Sequence, residues 1–127
     1  MSSSVHLNSI DGAITTYDAT PTPIVAIPAT DPNVSLRIDV TVTCSKPDNS
    51  DFKSWDQVLV VNKTAGGTPS MSGAAINAVA PSGSLGSSAW TLSTTFGPNN
   101  VFINVVGQAA ATINWFATAS AIAVMGD

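Results

Sequence analysis

Side chains able to carry acid–base, nucleophilic or metal chemistry are scarce in this sequence. It holds one histidine, His6, one cysteine, Cys44, and no glutamate. A nucleophilic thiol needs a base within hydrogen-bond reach, which here could only be a Cys44–His6 pair. Cys44 closes the apolar face of a strand pattern, where a thiol behaves as a small core residue. His6 sits in an unpatterned N-terminal stretch, and a general base must be held against its reacting partner; it reads as a solvated arm residue. Asp48, Asp51 and Asp56 lie close together, and oxygen-rich loops attract hard cations. The segment lacks the EF-hand pattern, so these acids read as solvated turn residues. Trp55, Trp90 and Trp115 could form a sugar-stacking platform, yet each stands among aliphatics in a strand pattern, where a core role is the default. Asn62-Lys63-Thr64 and Asn33-Val34-Ser35 match the glycosylation pattern, which is weak without a secretory context, and the glycine-rich stretches lack the strand–loop–helix order of phosphate binding. The expectation is a protein that is not an enzyme, with no catalytic residue, no cofactor-binding residue, no metal ligand and no cofactor.

Composition narrows the class further. A chain of 127 residues is long enough for one domain with its own core. A single cysteine excludes an intrachain disulfide framework. Only 9% of residues are charged while 44% are hydrophobic, and no charged side chain occurs from Thr64 to Gly126. Ser, Thr, Asn and Gly take the place of charge, as suits strands, turns and polar surfaces that pack on other proteins. A net charge of −4 with four scattered bases argues against nucleic acid, which demands clustered Lys and Arg. The N-terminus, Met1-Ser2-Ser3-Ser4, has no signal-peptide pattern. Ala109 to Met125 is uncharged and near membrane-span length. Its alternation of Thr112, Asn114, Thr118 and Ser120 with Ile113, Trp115, Ala117 and Ala119 is a strand period instead. No membrane partner is expected.

The elements that must position any site are strands. Val34 to Cys44 is the clearest: Val34, Leu36, Ile38, Val40, Val42 and Cys44 share one face, and Ser35, Arg37, Asp39, Thr41 and Thr43 the other. Ile24 to Ile27, flanked by prolines, reads as an edge strand. Lys46 to Asp51 is a turn. Trp55 to Asn62 is a strand whose run Val58–Val61 suggests that both faces are covered. Ala74 to Ala80 is a weaker strand, Pro81 to Gly86 a loop, and Trp90, Leu92 and Thr94 mark another strand. Gly97-Pro98-Asn99-Asn100 is a turn. Val101, Ile103 and Val105 are expected to pair with Ile113, Trp115 and Ala117 as a hairpin. Residues 1–11 read as an N-terminal arm and residues 12–127 as one domain. The expected fold is all-β: a two-layer antiparallel sandwich of about eight strands, jelly-roll or immunoglobulin-like.

The segment Tyr17-Asp18-Ala19-Thr20-Pro21-Thr22-Pro23-Ile24, followed by Ile27-Pro28, resembles the opening of small β-sandwich modules in tailed-bacteriophage virions. The alternating strand Val34 to Thr43, the hydrophilic loop Lys46 to Asp56, and the ending from Asn100 to Gly107 with Ile113-Asn114-Trp115-Phe116-Ala117 continue the likeness over residues 12–124. The resemblance implies a non-enzymatic virion structural protein made in the host cytoplasm. Its leading form is a capsid decoration (cement) protein on the capsid surface, binding the major capsid protein as a homo-oligomer, most simply a trimer. The start at Met1 and the end just after the last strand fit a stand-alone protein. The alternatives are a phage tail, neck or fibre module, and a carbohydrate-binding module.

Overall fold

A computed structural model describes residues 4–125, without the side chains of residues 4–6, 78 and 79. Among the described residues nine antiparallel strands form two sheets: β1 (Ser4–Thr16), β2 (Thr22–Pro28), β3 (Val34–Ser45), β4 (Phe52–Lys63), β5 (Ser70–Met71), β6 (Ile76–Gly83), β7 (Thr91–Phe96), β8 (Asn100–Val106) and β9 (Ile113–Met125). The larger sheet runs β1-β9-β3-β4-β5, with β6 also on β4, and the smaller runs β2-β8-β7. The two sheets pack face to face as a sandwich, as the alternation implies.

Strand β3 is the spine of that packing. Val34, Leu36, Ile38, Val40, Val42 and Cys44 are all buried, and their alternates are exposed. Each registers between a β4 residue and a β9 residue; Ile38, for example, lies between Leu59 and Ala121. From the smaller sheet, Val25, Ile27, Val101, Ile103 and Val105 complete the core. Burying such alternating faces is the main favourable term for a two-layer β fold. Strand β2 does stand at a sheet edge, with a register shift between Pro23 and Val25.

Several expectations are corrected. Residues 4–11, expected to be an arm, are the first half of β1 and pair along β9 from Ser4↔Met125 onward; Met1 to Ser3 lie outside the described residues. Their period is weak because the inward positions of β1 mix Ile10 and Ile14 with Asn8, Gly12 and Thr16. Strands β8 and β9 do not form a hairpin. β8 pairs with β2 and β7, β9 with β1 and β3, and the intervening residues cross from one sheet to the other. A period of two says which side chains point inward, and strands that face each other across a core carry the same pattern as strands that share hydrogen bonds. At the crossing, Gly107 passes Thr16 so closely that a Cβ would lie 2.7 Å from its hydroxyl oxygen. The run Val58–Val61 is covered on one face only, since Val60 is exposed. The loop expected from Pro81 begins later, because β6 continues to Gly83.

The sheets are tied together at their margins. On one side β1 approaches β2 so closely at Gly12 that any Cβ there would meet the Ile24 carbonyl. At the ends, two lysines of β4 reach across. Lys63 is buried, and its Nζ donates to the Ala29 carbonyl and to Asn99 Oδ1, each at 2.9 Å. Lys53 Nζ donates to the Trp90 carbonyl at 2.9 Å and stands 5.1 Å from the centre of the Trp55 ring, within cation–π range. Their long stems line the core margin while the charged heads find oxygen acceptors.

Two outcomes follow from this packing. Ile38→Ala should lower unfolding free energy by about 2–5 kcal/mol through the cavity it leaves, as measured by guanidinium denaturation; a loss below about 1 kcal/mol would contradict the central place of β3. Lys63→Met should cost about 1–3 kcal/mol, because it leaves two acceptors unpaired at a buried site. A variant as stable as the parent would show that the tie is dispensable.

Candidate protein-docking face

The residues with chemical potential are not brought together. Along β9, His6 of β1 registers with Ala123, whereas Cys44 of β3 registers with Trp115. These positions stand eight residues apart on one strand, roughly 26 Å at ~3.3 Å per residue, so no Cys–His pair forms. Cys44 faces the core, and burial pushes its thiol up to about 12. Asp48 and Asp51 hold a turn together. The Ser50 backbone N–H lowers the Asp48 carboxyl below its ordinary value. The Lys46 ammonium at 3.1 Å, then the Ser84 hydroxyl, do the same for Asp51. Asp56 stands apart on β4, opposite Thr41. Among the described residues, no group of three potential metal-binding side chains converges.

The tryptophans form an internal cluster. All three are buried. Trp55 stacks on Trp115 with ring centres 5.8 Å apart, and Trp90 tilts against Trp115 at 6.3 Å. Trp115 Nε1 donates to Thr16 Oγ1 at 2.8 Å and Trp90 Nε1 to Gln108 Oε1 at 3.1 Å. Both indole N–H groups are thus satisfied inside, and the three rings pack mainly within the core.

What the fold does display is the outer face of the larger sheet. The outward positions of β1, β9, β3 and β4 form rows across the strands. One row runs Leu7, Ile122, Arg37, Val60, and the next Ser9, Ser120, Asp39, Val58. Ile76 of β6 extends the second row from Val58. Leu7, Val60, Ile76, Ile122 and Val124 are exposed, from 43% at Ile122 to 76% at Leu7. Phe116 lies farther along the same face and is also exposed. Arg37 and Asp39 are 3.6 Å apart within this region and both well exposed, so their mutual attraction adds little to stability. Asp11 and Asp56 flank Thr118 and Thr41 in the third row. Cross-strand polar pairs, Thr15–Asn114 at 2.8 Å, Ser35–Asn62 at 2.9 Å and Thr43–Ser54 at 3.0 Å, rim the apolar region. A groove of about 340 Å³ lies beside it, lined in part by Thr41, Thr43, Ser54, Asp56 and Ser82.

The exposed apolar side chains form two groups, Leu7, Ile122 and Val124 on β1 and β9 and Val60 and Ile76 on β4 and β6, with Arg37 and Asp39 of β3 between them. Exposed apolar side chains grouped in this way mark candidate protein-binding surface. Sequence reasoning placed Arg37 and Asp39 on the outer face correctly. It missed Leu7, Val60, Ile122 and Val124; for the last three the signal was the unbroken apolar runs Val58–Val61 and Ala121–Val124, since alternate members of such a run must point away from the core.

The Cys44 environment sets an expected outcome. In the folded protein the thiol should fail to react with Ellman's reagent at pH 8 and should react fully in denaturant. Because its folded value of about 12 lies above the ordinary 9.0, its contribution to stability is complete below pH 9 and is lost as pH rises from 9 toward 12. Rapid labelling of the native protein would show that the strand end opens.

No protein-family model matches this chain, and no curated protein matches it. Among solved structures it is similar to the tailspike protein of Acinetobacter baumannii phage AM24, with a TM-score of 0.49 and 7% sequence identity over 97% of this chain and 26% of that one. The chain therefore spans about a quarter of the length of that protein, and a likeness of this strength says nothing of activity or partners.

Proposed function

We propose that the protein is a non-enzymatic structural component of a tailed-phage virion, a capsid decoration protein that docks on major capsid protein subunits and stabilises the shell. The observation that supports docking is the exposure of Leu7, Val60, Ile76, Ile122 and Val124 on the outer face of the larger sheet, on either side of Arg37 and Asp39. A monomer gains nothing from leaving these side chains in water, whereas a partner surface covering them recovers roughly 25 cal/mol for each Å² of apolar area removed from water. Asp11, Asp39 and Asp56 outnumber Arg37 on this face, so the partner is expected to present apolar groups together with basic ones. The phage assignment rests on the resemblance of residues 12–124 to virion β-sandwich modules. Head attachment is the leading form of the proposal, with a tail, neck or fibre position as its rival. Self-association on the particle, as a trimer in the form the resemblance implies, belongs to the same proposal.

Reconstruction of the parent virion tests the assignment. Density for this domain should lie on the head, with the outer face of the larger sheet against capsid subunits. Density on the tail would replace the leading form by its rival, and a virion without the protein would remove both. Val60→Asp and Ile122→Asp should each lower occupancy on the particle by about tenfold or more while leaving the melting midpoint of the free protein nearly unchanged. Full occupancy in both variants would show that another surface makes the contact.

A further inference from the structure

The sheet edges of this protein are not equally guarded. An edge strand offers unpaired N–H and C=O groups to any other strand, and proteins blunt such edges with proline, charge, bulges or cover. β2, one edge of the smaller sheet, carries Pro23 and Pro28, has a register shift, and lies against β1 at Gly12. β6, at an edge of the larger sheet, contains Pro81 and two register shifts. β7, the other edge of the smaller sheet, has none of these devices. Thr91-Leu92-Ser93-Thr94-Thr95-Phe96 holds no proline and no charge, and it pairs with β8 in unbroken register. The whole smaller sheet is without charge: none of β2, β7 and β8 contains Asp, Glu, Lys or Arg.

We infer that β7 is a self-association edge, pairing antiparallel with β7 of a second copy about a two-fold axis at Thr94. Residues opposite each other in an antiparallel pair share a face, so a two-fold centred on one residue keeps both inner faces aligned. With Thr94 opposite its own copy, Leu92 of each chain falls opposite Phe96 of the other. Leu92 and Phe96 point inward, registering with Val105 and Val101, and both are only partly buried at the open flank of the core. Paired in this way they cover each other on both sides of the axis, as aromatic–aliphatic cross-strand pairs. On the outer face Ser93 meets Thr95, two small polar residues. The result is one continuous six-stranded sheet in the order β2-β8-β7-β7-β8-β2, with its edges at the guarded β2 strands. A dimer of this kind leaves the outer face of the larger sheet free, so the inference stands apart from the proposed virion contact. It is also a different assembly from a trimer.

Sedimentation of the purified full chain tests it. The parent protein should sediment as a dimer. Ser93→Lys and Ser93→Glu place like charges diagonally across the axis, about 7–8 Å apart. Each variant alone should sediment as a folded monomer, with circular dichroism and melting midpoint close to those of the dissociated parent. An equal mixture of the two should recover the dimer. In a second variant, Thr94→Cys should form a disulfide-linked dimer under mild oxidation, because directly opposed antiparallel residues lie about 4.5–5.5 Å apart between Cα atoms, within disulfide range. A monomeric or trimeric parent, variants that remain dimeric, or a Thr94→Cys protein that does not cross-link would each overturn the inference. None of those outcomes bears on docking through the opposite sheet.

Discussion

The structure depends on the seating of β9 between β1 and β3. Its inward residues run Ile113, Trp115, Ala117, Ala119, Ala121 and Ala123, all buried. Bulk is concentrated at one end, where Trp115 meets Trp55 and Trp90, and falls to methyl groups along the rest. Larger residues stand beside those alanines, Ile38 next to Ala121 and Val40 next to Ala119 on β3, and Ile27 and Ile103 of the smaller sheet belong to the same buried cluster. Small positions facing large ones are how two layers interdigitate without voids. A slip of β9 by one residue would turn Phe116, Ile122 and Val124 into this space and the alanines out of it. Overpacking the core and uncovering its apolar complement would both be destabilising. The same constraint puts Phe116, Ile122 and Val124 on the outer face, so the register that closes the core also sets the exposed apolar side chains of the larger sheet.

The scarcity of charge acquires a physical reading once each base is located. Lys53 and Lys63 bridge the sheets through carbonyl and amide oxygens, and Lys46 steadies the β3–β4 turn through Asp51. Arg37 alone projects from the middle of a sheet face. Three of the four bases therefore serve the fold, and the charge left on the surface is mostly carboxylate, in keeping with the net charge of −4.

Much of the fold was legible in the sequence, and the reasons it was not entirely so are specific. Strict alternation identified β3 and its core face, and Gly97-Pro98-Asn99-Asn100 marked the β7–β8 turn, closed by the Gly97 N–H on the Asn100 carbonyl. The neighbour of β9 was not legible, because alternation carries no information on which strand lies alongside. The first half of the opening strand, read as an arm, escaped notice because Asn8 and Gly12 interrupt its inward face. The exposed apolar side chains of the larger sheet escaped for another reason. Leu7, Val60 and Ile122 come from three strands far apart in the chain, and only pairing in space makes them one row. Lys63, one of the four scattered bases of the sequence, proved to be buried.

The position of β9 also has a consequence in time. It is the last strand of the domain and yet a central strand of the larger sheet, joined to β1 across nearly the whole length of the domain. On a ribosome, β3 and β4 can form their hairpin early, but the flank of β3 that receives β9 stays bare until synthesis has passed Ile113. Long-range strand pairing of this kind gives a high contact order, with folding on the millisecond-to-second scale. Until it completes, the nascent chain presents an unpaired apolar strand to its surroundings, and its demand on cellular chaperones is concentrated in that interval.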